Sequence, residues 1–388
     1  MYFHHENQAL IICFNMGGRG ECTVPNKKTA PDLIMIMATI SLLVVGLIMV
    51  YSASAIWANY KFGDSYFFLK RQLLFAGVGL IAMFVIMNLD YWVWKQWAKP
   101  ILIICFVLLI AVLIPGIGME RNGSRSWIGV GAFSIQPSEF MKIGMIAFLA
   151  KFLSTQQRYI TTVKKGLLPS LSLLFLAFGL IMLQPDLGTG TVMVGTCIIM
   201  IFVAGARVAH FAFLGVLGIV GFVGLVISAP YRMKRITSFL DPWQDPMDSG
   251  FQIIQSLYAI GPGGLLGLGL GESKQKYFYL PEPQTDFIFA ILAEELGFIG
   301  GSFILLLFSI LLWRGIKIAL SAPDLFGSFL AVGIISMVAI QVMINIGVVI
   351  GLMPVTGITL PLLSYGGSSL TLMLMAIGVL LNISRHAR

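Results

Sequence analysis

The chain has 388 residues, 11% of them charged and 58% hydrophobic, with a mean hydropathy of +0.92. A soluble chain is about 25% charged, so a soluble globular domain is excluded and a polytopic membrane protein is indicated. The net charge of +8 comes from basic residues scattered between apolar runs. That pattern fits positive-inside topology and not a nucleic-acid partner.

Residues 1–30 are expected to form an N-terminal cytoplasmic tail. Their apolar piece "ALIICF" is too short for a signal peptide and has no basic flank before it. "VPNKKTAPD" reads as a polar lead into the first long apolar run, so Val24 is expected to be the natural start and 1–23 an upstream misassignment. Cys13, Cys22, Cys105 and Cys197 show no CxxC spacing, and the two within apolar runs read as small core residues. His4 and His5 are poorly spaced with Cys13 and Cys22 for a metal.

Residues 31–388 read as one transmembrane domain, an all-α polytopic bundle of about ten helices at about 20 residues per span. The runs fall near 32–56, 70–89, 99–115, 137–153, 167–183, 187–206, 208–229, 285–314, 326–350 and 355–384. A large extracytoplasmic loop, about 230–284, separates helices 7 and 8. Lys27, Lys28, Lys95, Lys99, Lys151, Lys164 and Lys165 then lie inside, while short outer loops hold only Lys61, Lys70, Arg71, Arg121 and Arg125. Both termini are therefore expected in the cytoplasm. "FQIIQSLYAI" sets Gln252, Gln255, Ser256 and Ala259 against Phe251, Ile253, Ile254 and Tyr258, which predicts an amphipathic surface helix and not an eleventh span.

Four outer stretches break the apolar texture. In 120–142, Pro137 suits the first helical position and Glu139 the first turn, with Lys142 on the same face. The pair either neutralises itself or lines a polar cavity whose mouth Arg121, Arg125 and Trp127 would flank. In "LQPDLGTGT", Asp186 reads as the cap of the next helix. In "LPEPQTDFIF", Asp286 sits at the start of a helix at the outer boundary. In "GLMPVTGITLPLLSYGGSSL", prolines and glycines interrupt the last run, and broken backbone at membrane depth is tolerated where it is buried or lines a cavity. Glu294 and Glu295 follow Asp286 by about 12–13.5 Å of ideal helix. They read as inward-facing structural acids with Lys142 as a candidate partner. "GLGLGES" lacks the Lys of a phosphate loop, and the four histidines make no Ser/His/Asp triad.

"NGSRSWIGVGAFSIQPSEFMK", "QPDLGTGT", "YAIGPGGLLGLGLG", "YLPEPQTDFIFAILAEELGFIG" and "PVTGITLPLLSYGGSSL" resemble, in order, the SEDS family (shape, elongation, division and sporulation; the FtsW/RodA/SpoVE group). The resemblance runs from about Pro31 to Arg385 and lies nearest the sporulation branch, through "YSASAIWANYKFGDSYFFLKRQLLFAG". It implies a peptidoglycan glycosyltransferase that polymerises lipid II, the undecaprenyl-pyrophosphate disaccharide-pentapeptide, beside a class B penicillin-binding protein. It implies the plasma membrane, at the outer forespore membrane or the division septum. Asp286 takes the family's essential aspartate. Arg121, Arg125, Trp127, Glu139, Lys142, Ser364, Gly366, Gly367, Ser368 and Ser369 take substrate-binding positions. A carboxylate base suits a sugar hydroxyl nucleophile, and Arg, Lys or a divalent cation (Mg²⁺ or Mn²⁺) suits the leaving pyrophosphate. The alternatives are a lipid II flippase and a non-catalytic scaffold for the penicillin-binding protein.

Overall fold

The computed structural model describes residues 29–121, 124–130, 133–248 and 250–387. The expectations for residues 1–23, including the start at Val24 and the metal pairing of His4, His5, Cys13 and Cys22, fall outside them.

Ten long helices occupy the ten expected runs. They are α1 (Leu33–Phe62), α2 (Phe67–Asn88), α3 (Trp92–Ala111), α4 (Pro137–Gln156), α5 (Leu168–Met182), α6 (Leu187–Val203) and α7 (Val208–Ile227). After two shorter helices, α8 (Pro230–Leu240) and α9 (Phe251–Gly263), come α10 (Ile288–Ser321), α11 (Leu325–Val349) and α12 (Gly367–His386). Among the described residues, seven helices are long and apolar enough to cross a membrane. They are α1, α2, α3, Val163–Met182, α10, α11 and α12.

Caps fix where the helices begin. Asp32 accepts from Met35 N at 3.0 Å, Asp186 from Thr189 N at 3.1 Å and Asp324 from Gly327 N at 3.0 Å. Each carboxylate meets a backbone donor that its helix cannot satisfy. Asp32 also holds Arg314 of α10 at 2.5 Å, and its own N–H donates to Ser384 Oγ of α12. Thr29 N donates to Arg385 O at 2.9 Å, so the described ends of the chain lie together at one end of the bundle. α12 packs along α2, and α11 is wrapped by α4, α6 and α10.

Three expectations change. The stretch after α3 is not plain loop: β1 (Gly118–Arg121), β2 (Ser124–Val130) and β3 (Phe133–Ile135) form an antiparallel sheet in the order β1-β2-β3. The last run is helical only from Gly367, because residues 350–366 carry Pro354, Gly357 and Pro361 and stay irregular. The third change is in α9, which does not turn all of its predicted polar side outward. Ser256 and Ala259 are buried beside Ile253 and Ile254, Ser256 Oγ donates to Val349 O at 2.7 Å, and Leu257 and Tyr258 are exposed. Ser256 thus faces α11, and Gly263 at the end of α9 lies so close to Ala293 O of α10 that a Cβ would not fit, so packing on both helices outweighs amphipathic order.

α10 is broken at Gly297, with φ 64° and ψ −164°. Only glycine adopts that conformation without strain. A Cβ there would stand 2.7 Å from the Leu265 carbonyl. Gly297→Ala is expected to cost about 1–3 kcal/mol, read as a lower unfolding temperature in detergent. An unchanged transition would show that the break is not needed.

Candidate functional site

A polar cavity of about 480 Å³ opens at the end of the bundle opposite Thr29 and Arg385. Irregular or newly begun backbone supplies most of its wall. α4 brings Glu139 and Lys142, the turn into α6 brings Asp186 and Thr189, and β2 brings Ser124, Ser126 and Trp127. α8 contributes Arg235, the loop before α10 contributes Glu282, Thr285 and Asp286, and α11 contributes Gln341. Residues 356–359 and 365–369 close the ring.

Asp286 is half-buried in the turn before α10, not at its capping position, since α10 begins at Ile288 without a side-chain cap. Asp286 therefore stands two residues before the helix it was expected to begin. Its Oδ1 lies 2.8 Å from the Thr285 hydroxyl, whose single proton is shared between this carboxylate and Glu282 O. Burial pushes the Asp286 carboxyl above the ordinary carboxylate range. The Thr285 hydrogen bond and Arg235 oppose the rise, and Glu282 adds to it. The backbone here is pinned: Asn345 Nδ2 donates to Asp286 O and to Ile358 O, both at 2.7 Å, and Tyr365 N donates to Gln284 O at 2.8 Å.

Glu139 and Lys142 form an ion pair at 2.7 Å, with Lys142 only 3% exposed. Both line the cavity, so the pair neutralises itself and also faces the polar space. Asp186 does more than cap α6: its Oδ2 also accepts from Gln136 Nε2 at 2.9 Å and Ser138 Oγ at 3.1 Å, tying α6 to the start of α4.

Of the expected site residues, Asp286, Trp127, Glu139, Lys142, Gly366, Gly367, Ser368 and Ser369 meet on this wall. Ser364 does not: it is buried, its Oγ accepts from Leu360 N at 2.8 Å and its carbonyl accepts from Gln72 Nε2 at 3.0 Å. Its place is in holding the irregular segment. Arg125 is off the wall too, paired across the sheet with Glu120. Arg121 lies in β1, and its side chain is outside the described residues. Gln341 and Arg235 on the wall, and Asn345 and Gln72 behind it, were not among the expected site residues. Gln341, Asn345 and Gln72 are polar residues inside apolar helices, which in a membrane protein is itself a signal of function. Arg235 sits among other basic residues of a long loop and carries no such signal.

Lys142 is not the partner of the deeper acids. Glu295 is fully buried against Lys276 Nζ at 3.2 Å and takes the Ser52 hydroxyl at 2.6 Å. Glu294 takes the Ser273 hydroxyl at 2.5 Å and Lys274 N at 2.8 Å. The break at Gly297 brings the loop 264–276 onto this turn: Leu268 N and Gly269 N donate to the carbonyls of Glu294 and Glu295. Lys276 is therefore nearer than any group the ideal-helix geometry offered.

These features define a polytopic membrane protein with an acid-bearing polar cavity at one end of its bundle. The chain belongs to the FtsW/RodA/SpoVE cell cycle protein family, whose pattern matches residues 33–388. It is 76% identical over 362 residues to stage V sporulation protein E of Bacillus subtilis (strain 168), across 93% of this chain and 99% of that protein. It is 46% identical over 357 residues to the probable peptidoglycan glycosyltransferase FtsW of Geobacter sp. (strain M18), across 92% and 97%. Among solved structures, it matches a chain from work on the structural coordination of polymerization and crosslinking by a peptidoglycan synthase complex. The TM-score there is 0.76 at 34% identity, with 92% and 98% covered. It also matches the Thermus thermophilus rod shape determining protein RodA, with a TM-score of 0.69 at 31% identity and 92% and 97% covered.

The protonated-carboxyl infrared band that disappears in Asp286→Asn is expected to titrate above the ordinary carboxylate range in the wild type. Glu282→Gln should move that titration to lower pH and Arg235→Gln to higher pH, since each removes a charge acting on the carboxyl. Opposite or absent shifts would contradict this electrostatic arrangement.

Proposed function

We propose that this protein is an inverting peptidoglycan glycosyltransferase that polymerises lipid II at the outer face of the plasma membrane, beside a class B penicillin-binding protein. The observation that carries the reading is the half-buried Asp286 carboxylate facing a polar cavity that also holds Lys142 and Arg235. Asp286 is the general base: it removes the proton from a sugar hydroxyl whose oxygen bonds to the anomeric carbon of a second sugar. The bond from that carbon to the pyrophosphate breaks, and the pyrophosphate leaves with the electron pair. A positioned base of this kind contributes about 10²–10⁴-fold. A carboxyl with a raised pKa is a stronger base once ionised, which suits a hydroxyl nucleophile. One displacement inverts the anomeric centre and needs no covalent enzyme intermediate.

Trp127 and the Gly366–Ser369 turn are proposed to hold the sugars, and Lys142 and Arg235 the pyrophosphate. Arg121 and Arg125 are kept for the approach of the anionic headgroup from the sheet side. Among the described residues no three His, Cys, Asp or Glu side chains converge as a metal cluster. With Glu139 given to Lys142 and Asp186 to its helix cap, Asp286 and Glu282 are the wall carboxylates that would hold a Mg²⁺ or Mn²⁺ together with the substrate's pyrophosphate, the usual way Mg²⁺ is held. When bound, such an ion would neutralise leaving-group charge.

The positive-inside bias and the meeting of Thr29 with Arg385 support cytoplasmic termini and an outward cavity. Lipid-linked substrates then reach it at headgroup depth. The likeness to stage V sporulation protein E supports work at the outer forespore membrane, with the division septum as the other site. Below Gln341 the bundle is filled by Met145, Ile146, Leu149, Ile334, Met337 and Val338, all buried. That packing favours polymerisation at the cavity over a polar path for a flippase.

Purified with its penicillin-binding partner, the protein is expected to convert lipid II to glycan strands, more slowly after Mg²⁺ and Mn²⁺ are chelated, and to leave fluorescent lipid II untranslocated in proteoliposomes. Glu139→Gln strands a buried Lys142 charge and should cost about 3–5 kcal/mol of stability. The double variant Glu139→Gln/Lys142→Met should regain stability and still polymerise at least about tenfold slower. A stable double variant with the wild-type rate would reduce the pair to a structural role.

A further inference from the structure

One wall group has no use in the chemistry above. Gln341 lies inside α11, is 2% exposed and lines the cavity. Its Oε1 finds no hydrogen-bond partner among the described residues. The Thr356 hydroxyl, which lines the same cavity, is likewise unpartnered among the described residues. Leaving a buried donor or acceptor unmet costs about 1–3 kcal/mol. Two such groups facing one cavity point to a ligand that meets both. One turn further along α11, Asn345 spends its Nδ2 on Asp286 O and Ile358 O, which leaves only its Oδ1 without a partner among the described residues.

We propose, on the reading of the site as a glycosyltransferase centre, that Gln341 and Thr356 form the subsite for the 2-acetamido group of the sugar bonded to the pyrophosphate. Gln341 Oε1 accepts from the acetamido N–H, and the Thr356 hydroxyl donates to its carbonyl. A secondary amide offers one donor and one acceptor, which is what these two groups require. A phosphate would meet donors only and leave Gln341 Oε1 unmet. Position selects among the amides of the substrate. Gln341 is four residues, about 6 Å of helix rise, from Asn345, and Asn345 is bonded to the backbone of Asp286. The acetamido nitrogen is attached to the carbon next to the reacting anomeric carbon. The peptide stem leaves the sugar further away.

The test compares lipid II with an analogue whose 2-acetamido group on the pyrophosphate-bearing sugar is replaced by hydroxyl, using the complex with the penicillin-binding protein. Wild type should polymerise the analogue about 10–100-fold more slowly. Gln341→Leu should lose about the same factor on lipid II and discriminate between the two by less than about threefold. It should unfold at or above the wild-type temperature, since an unmet polar group has been removed. Thr356→Val provides a second reading of lost discrimination should Gln341→Leu fold poorly. A variant with the wild-type rate, or a slow variant that still discriminates fully, would overturn the proposal. So would a defect confined to substrates carrying the pentapeptide, since the stem amide would then be the group met. A wild-type complex that polymerised neither substrate would bring down the functional reading, and the subsite with it.

Discussion

The site depends on how the irregular backbone between α11 and α12 is satisfied. In a membrane bundle each unmet backbone N–H or C=O costs several kcal/mol, and residues 350–366 have no helix to meet theirs. Buried amide side chains take that role. Gln72 of α2 donates to Ser364 O and accepts from Gly366 N. Asn345 donates to Ile358 O and Asp286 O, and Ser364 Oγ accepts from Leu360 N. Because Asn345 bonds both segments, the interaction that makes the break tolerable also fixes the turn carrying Asp286. The cavity is the space left where these short backbone turns replace helix.

A second polar centre supports the first from the other side. Glu294 and Glu295 hold Ser273, Lys274, Lys276 and Ser52, joining the loop 264–276 to α10 and α1. Burying two adjacent carboxylates is costly without such partners. The Gly297 break places the partners within reach, so the carboxylates serve as anchors for the loop that leads to Asp286. A glycine-rich run and a pair of acids that looked unrelated in sequence are one structural unit.

Much of this was legible in the sequence because the bilayer imposes strong patterns. Apolar length located the helices, Pro137 and Asp186 marked helix starts, and the prolines and glycines of 351–367 marked the broken segment. What escaped were pairings between distant residues. Nothing local tells Glu295 that its lysine is Lys276 and not Lys142, because a backbone break, not helix periodicity, decides it. The same holds for Ser364, whose hydroxyl turned back to Leu360, and for Arg125, which pairs with Glu120 across a small sheet and lies off the wall. Gln341 and Asn345 were readable in principle as amides within an apolar run, yet which of them is spent on backbone and which faces the cavity needs three dimensions.

The most direct measurement is the rate at which the purified protein, with its penicillin-binding partner, polymerises lipid II before and after Asp286→Asn, both forms having the same unfolding transition. The account predicts a loss of about 10²-fold or more, because the amide keeps the shape of the carboxylate and cannot take the proton. Equal rates would contradict it, and the base would have to be sought elsewhere on the wall.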